Sequence, residues 1–226
     1  MKHQRRNKSG FTLVELLVSI AVFVVFLGVV ASSYVNIVRS QRQANLIRKM
    51  YSQVRIVMDQ MATDTRLGTI DYDCYEPGLE VSTCPPEVKN IAQIAPDGMS
   101  SVLVIVNKDH TLKTVYRFDP VTSNVTFKRY IFSVGGWITP PEFNPDPENA
   151  PDGFLSLLGG EVKVKNLAFA IYPPVNPYSQ QHALQNHFQF QPKVTAFLTI
   201  ENGSPNLPPF HLDLQTTFSS RVYSRL

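Results

Sequence analysis

Phe11 to Ala31 reads FTLVELLVSIAVFVVFLGVVA, a run of 21 residues carrying a single charge, Glu15. At about 1.5 Å per helical residue, such a run crosses a hydrocarbon core of ~30 Å, so the chain is predicted to open with a membrane helix. Four bases (Lys2, Arg5, Arg6, Lys8) and no acid precede it. Basic flanks stay on the cytoplasmic side, which predicts Met1 in the cytoplasm and everything after residue 31 outside it. A secretory signal peptide fits poorly. Its apolar core is shorter, ~7–15 residues, and a small-residue cleavage site follows it; no A-x-A-like site follows this run. A plain anchor explains the hydrophobicity but not Glu15, because a carboxylate inside a span costs about 3 kcal/mol on insertion scales.

The residues around that carboxylate are Lys8-Ser9-Gly10-Phe11-Thr12-Leu13-Val14-Glu15. Together with the basic stretch before them and the apolar run after them, they resemble the leader of the type IV prepilin family, which includes pilins and the pseudopilins of type II secretion and competence systems. The resemblance covers residues 8–31 and implies cleavage between Gly10 and Phe11 by a membrane prepilin peptidase, then methylation of the new Phe11 amino group. It also implies that Glu15 serves assembly. Glu15 lies one helical turn from Phe11. A buried carboxylate that meets the Phe11 ammonium of a neighbouring subunit would set axial register more than it would add stability. Many major pilins carry a mid-helix Pro; here none occurs before Pro77, so a helix without a proline kink is expected.

Charge narrows the remaining classes. Of 21 Lys and Arg, four lie in the predicted leader, leaving 17 against 18 acids. A near-neutral domain is no broad electrostatic match for nucleic acid. The two cysteines, Cys74 and Cys84, enclose nine residues. Outside the cytoplasm, such a pair is predicted to be a disulfide, worth roughly 2–3 kcal/mol on the chain-entropy model.

Beyond the membrane, no Gly or Pro interrupts the chain between Val29 and Leu67. One helix is predicted from Phe11 to Leu67, ~85 Å long. Residues 39–45 are polar all round and suit a solvated neck, with Arg39 and Arg42 in reach of lipid headgroups. Then Ile47, Met50, Val54, Val57 and Met61 fall on one face, widened by Tyr51, Met58 and Ala62. This face is predicted to pack on a globular domain, and Gly68 is placed as the helix C-cap.

After residue 69, short apolar alternations between turn signals predict strands. They are Val102–Val106, Thr114–Phe118, Val125–Phe132, Val162–Tyr172 with an irregularity near Asn166, Val194–Ile200 and Leu212–Phe218. The Asp119–Asn124 stretch between the second and third is read as a hairpin loop. The fold class is α+β: a long N-terminal helix, its first half transmembrane, packed on an antiparallel β-sheet domain. The organisation is predicted as leader 1–10, transmembrane half 11–31, amphipathic half 32–68 and extracytoplasmic domain 69–226. The layout resembles minor pilins and minor pseudopilins, the J-type component of type II secretion among them, and implies the pilin fold. Long loops at Cys74–Glu87, Thr139–Gly153 and Tyr172–Pro192 favour contact surfaces over mere connection.

No phosphate-cradling Gly loop, GxSxG elbow or HExxH helix occurs, so no enzyme and no cofactor are predicted. His182 and His187 are read as solvated loop residues. Asp146, Glu148 and Asp152, like Asp71, Asp73 and Glu76, are oxygen-rich but lack an EF-hand spacing and are read as solvated too. The leading expectation is a structural one: a minor filament subunit whose partners are the prepilin peptidase, other pilins or pseudopilins and an inner-membrane assembly platform. It would sit in the inner membrane and then in a surface or periplasmic filament. The alternative is a competence or adhesion pilin that binds DNA or a surface, for which Lys128, Arg129, Lys163 and Lys165 are the candidate basic patch, though alternating strand bases usually form a solvated face.

Overall fold

The computed structural model describes residues 12–76, 83–143, 152–160, 162–178, 191–203 and 210–221. Gly10, Phe11, Asp146, Glu148, His182 and His187 lie outside them. The chain divides into two compact units, Met1–Lys49 and Met50–Leu226.

Helix α1 (Leu13–Leu67) runs for 55 residues. Within the first unit its apolar residues point away from the chain in every direction: from Leu13 to Ile37 the large ones are 45–75% exposed. A helix that is apolar on all faces and unburied by its own chain needs another apolar medium around it. Length and composition suffice for crossing a membrane.

In the second unit the same helix becomes one-sided. Met50, Val54, Val57 and Met61 are at most 1% exposed, and Met58 and Ala62 join them, at the 4-3-4 spacing of the predicted stripe; Ile47, placed on the same stripe, is only half-buried. Tyr51 does not; it is 53% exposed. It sits one residue past Met50, about 100° further round the helix, and lands on the solvent side.

Two antiparallel sheets accompany this half-helix. The first takes β1 (Gly68–Ile70), β3 (Val102–Asn107), β4 (Leu112–Asp119), β5 (Asn124–Ser133) and β6 (Gly136–Ile138) in that order, with β7 (Leu155–Ser156) also on β5. The second has the order β10 (His211–Ser219), β9 (Lys193–Asn202), β8 (Val162–Tyr172) and β2 (Met99–Ser100). The six predicted strands are β3, β4, β5, β8, β9 and β10. The short strands β1, β2, β6 and β7 and the helical turn α2 (Pro86–Lys89) carry too few residues to show a period. The predicted irregularity in β8 is a register shift between Val164 and Asn166, which lets Val164 and Leu167 both face inward.

Strand β3 shows why the first sheet holds the unit together. All of Val102–Val106 is buried, so both faces are covered. Val102 and Val104 join Val115, Tyr130 and Phe154 in a cluster with Cys74, Cys84 and Val88 of the segment between β1 and β2. The opposite face carries Tyr116, whose hydroxyl donates to the Asp64 carboxylate of α1.

Gly68 is not the predicted helix cap. It opens β1, opposite Asn107 of β3, and does not have a positive φ. A Cβ there would lie 2.5 Å from the Val106 carbonyl oxygen and 2.7 Å from Ile105 Cγ2. The glycine is required by close strand approach rather than by a left-handed turn.

Candidate functional site

At the start of α1, Thr12 and Glu15 bond reciprocally. The Thr12 N–H donates to Glu15 Oε2 at 3.0 Å and the Thr12 hydroxyl donates to the same oxygen at 2.9 Å. The Glu15 N–H donates back to the Thr12 hydroxyl oxygen at 3.3 Å. This is a capping box, in which the first helical N–H groups find acceptors from the chain itself. In a bilayer those groups have no water to turn to. The pattern Thr-x-x-Glu ahead of an apolar run is the sequence signal of such a box. The sequence reading, which took Glu15 only as a charge, passed over it.

Cys74 and Cys84 are joined in a disulfide, both at most 1% exposed. Asp71, one of the acids read as solvated, is buried beside it. Its carboxylate forms an ion pair with Lys113 Nζ, with side chains 7% and 3% exposed. Lys113 also donates to the Thr83 carbonyl inside the bridged loop and lies 4.3 Å from the centre of the Trp137 ring. Burial pushes the Asp71 carboxyl up, against the pull of the Lys113 charge. Nothing local in the sequence announces this pair; its two halves meet only through the β1–β3–β4 ladder.

The candidate basic patch does not form one surface. Lys128 is buried, donating to Glu87 Oε1 at 2.7 Å and to the Asp152 carbonyl at 2.6 Å. Tyr130 donates to the same Glu87 oxygen at 2.9 Å. Arg129 lies 3.9 Å from Asp64. Only Lys163 and Lys165 are exposed, and they belong to the other sheet. Asp152 of the acidic loop is held by Arg117 at 2.6 Å. Strand alternation cannot reveal that the buried Lys128 meets a carboxylate, because Glu87 comes from α2. Among the described residues no group of three or more His, Cys, Asp or Glu is placed to hold a metal ion.

The family model for the prokaryotic N-terminal methylation motif matches residues 5–31. No curated protein and no solved structure matches the chain. The matched stretch contains the reciprocal Thr12–Glu15 bonds and most of the exposed apolar helix, and it marks the chain as a type IV prepilin-like protein.

Proposed function

We propose that the chain is a minor subunit of a type IV filament or of a type II secretion pseudopilus. The observation that carries this reading is the apolar first half of α1, unburied by its own chain, with Glu15 in its first turn and the methylation motif over it. The prepilin peptidase cuts between Gly10 and Phe11, and the Phe11 amino group is methylated. The helix then leaves the inner membrane, through an assembly platform, for a bundle of like helices. These replace lipid as its apolar surroundings.

Glu15 has two tasks in this scheme. In the single chain it caps α1 through Thr12. On assembly, its second oxygen meets the Phe11 ammonium of a neighbouring subunit. A charge pair withdrawn from water is costly to break by removing one partner, so it fixes register.

A minor rather than bulk subunit is supported by the size of the second unit and by its long connections. The test is made in a producing strain. Peptide mass mapping of the wild-type chain should show a mature N-terminus at Phe11 carrying one methyl group. Glu15→Val should be cleaved normally but be lost from sheared filaments. Normal incorporation of Glu15→Val would remove the register argument, and a chain that retains residues 1–10 would remove the whole reading.

A further inference from the structure

Four of the strands at the borders of the two sheets are short: β1 and β6 have three residues each, β2 and β7 two. Short border strands are a usual defence against unwanted strand pairing. The outer side of β8 is also closed, by β2 and by the β4–β5 turn, where the Val164 N–H donates to the Ser123 carbonyl at 2.7 Å. Strand β10 is the exception. It runs nine residues, pairs with β9 along its whole length on one side, and has no strand on the other among the described residues. It contains neither Lys nor Pro, the residues that commonly blunt such an edge.

Among the described residues, the space beside that edge is open. A cavity of about 330 Å³ lies between α1 and β10. Val54, Met58, Leu214 and Phe218 give it an apolar floor, and Leu214 is only half-buried. Its rim is charged. Arg55 is engaged with Asp59 at 3.6 Å. Arg66, in the last turn of α1, makes no ion pair among the described residues. Arg66 lies towards the C-terminal end of β10, since the hydroxyl of Ser220 donates to the carbonyl of Gly68, two residues past Arg66.

We propose that this groove receives an extended segment of another protein, which adds to β10 as an antiparallel strand. The backbone edge of β10 supplies the hydrogen bonds, the cavity takes an inward apolar side chain, and Arg66 takes a carboxylate near the segment's N-terminus. Strand addition draws affinity from the main chain and specificity from alternate side-chain pockets. The free guanidinium decides the sign of the partner's charge. This inference rests on the second unit alone and stands or falls separately from the filament assignment.

The test uses the full chain in detergent micelles and a labelled, N-acetylated synthetic peptide of alternating Val and Thr with Glu at its N-terminal end. A counterpart carries Lys instead of Glu. The acidic peptide should bind and protect β10 amides from hydrogen exchange, and the basic one should bind at least about tenfold more weakly, a difference of ~1.4 kcal/mol. Arg66→Glu, an exposed substitution that leaves the core untouched, should reverse the preference. Three results would overturn the proposal: no binding of either peptide, binding indifferent to Arg66→Glu, or binding without protection of β10. A concentration-dependent dimer with β10 already protected would also overturn it, by making a second copy the occupant.

Discussion

Lys113 and Asp71 form an ion pair almost wholly withdrawn from solvent, against the Cys74–Cys84 bridge. Lys113 holds the bridged loop through the Thr83 carbonyl as well. Removing one partner leaves an uncompensated buried charge, a cost of about 3–5 kcal/mol, whereas replacing both with apolar residues is often neutral. Lys113→Met should therefore lower stability by about 3–5 kcal/mol, and Asp71→Leu with Lys113→Met should recover most of it. Urea unfolding, followed by the fluorescence of Trp137, the chain's one tryptophan, checks this. A double variant as unstable as the single one would mean that the pair is packing rather than charge.

Features that depend on neighbouring residues were legible in the sequence, and those that depend on distant ones were not. The β3 run Val102–Val106 and the α1 stripe from Met50 to Met61 follow their periods, and both are buried. The irregularity near Asn166 was readable because the apolar alternation changes phase there. Lys128 and Asp71 were read as surface residues because each alone is hydrophilic; their partners, Glu87 and Lys113, arrive from other elements. Tyr51 erred the other way, an aromatic just outside the buried arc of α1. At the N-terminus, the membrane length and Glu15 are plain in the sequence, and so is the signal for the bonds to Thr12, since Thr12 and Glu15 stand at the capping-box spacing.

Gly68 supplies the second prediction. The helix passes directly into β1 at this residue, and the Val106 carbonyl oxygen occupies the space a side chain would need. A backbone oxygen in a ladder cannot swing away as a flexible side chain could. Gly68→Ala should destabilise the second unit by about 1–3 kcal/mol, the range for overpacking a closed site. Thermal unfolding measures it. An unchanged midpoint would place β1 further from β3 than described.

The β4–β5 turn carries a pH-dependent contact. Burial alone would raise the Asp119 carboxyl, but the Thr122 hydroxyl and the Val121 N–H donate to it at 2.7 and 2.9 Å and bring it below its ordinary range. A carboxylate depressed in the folded state contributes stability that is complete above its unfolded value of about 3.9 and is lost as pH falls through the lower folded value. Carboxyl NMR should give Asp119 a midpoint below about 3.9, and Thr122→Val should move it upward. A midpoint above that value would mean that the turn does not hold the carboxylate.

The two tasks assigned to Glu15 can be separated by chemistry. Glu15→Gln keeps an oxygen that can accept from the Thr12 N–H and hydroxyl, but loses the charge. Thr12→Val keeps the charge and loses the hydroxyl that bonds in both directions. If the cap were all that mattered, Glu15→Gln would assemble as wild type and Thr12→Val would fail, having lost a cap worth about 0.5–2 kcal/mol. The proposed pairing with a neighbour's Phe11 ammonium predicts the reverse order. Glu15→Gln should fall sharply in filament incorporation while cleavage proceeds, and Thr12→Val should lose less. Sheared-fraction immunoblots alongside N-terminal mass mapping report both steps in the same cells. Equal incorporation of Glu15→Gln and wild type would leave Glu15 with the helix cap alone.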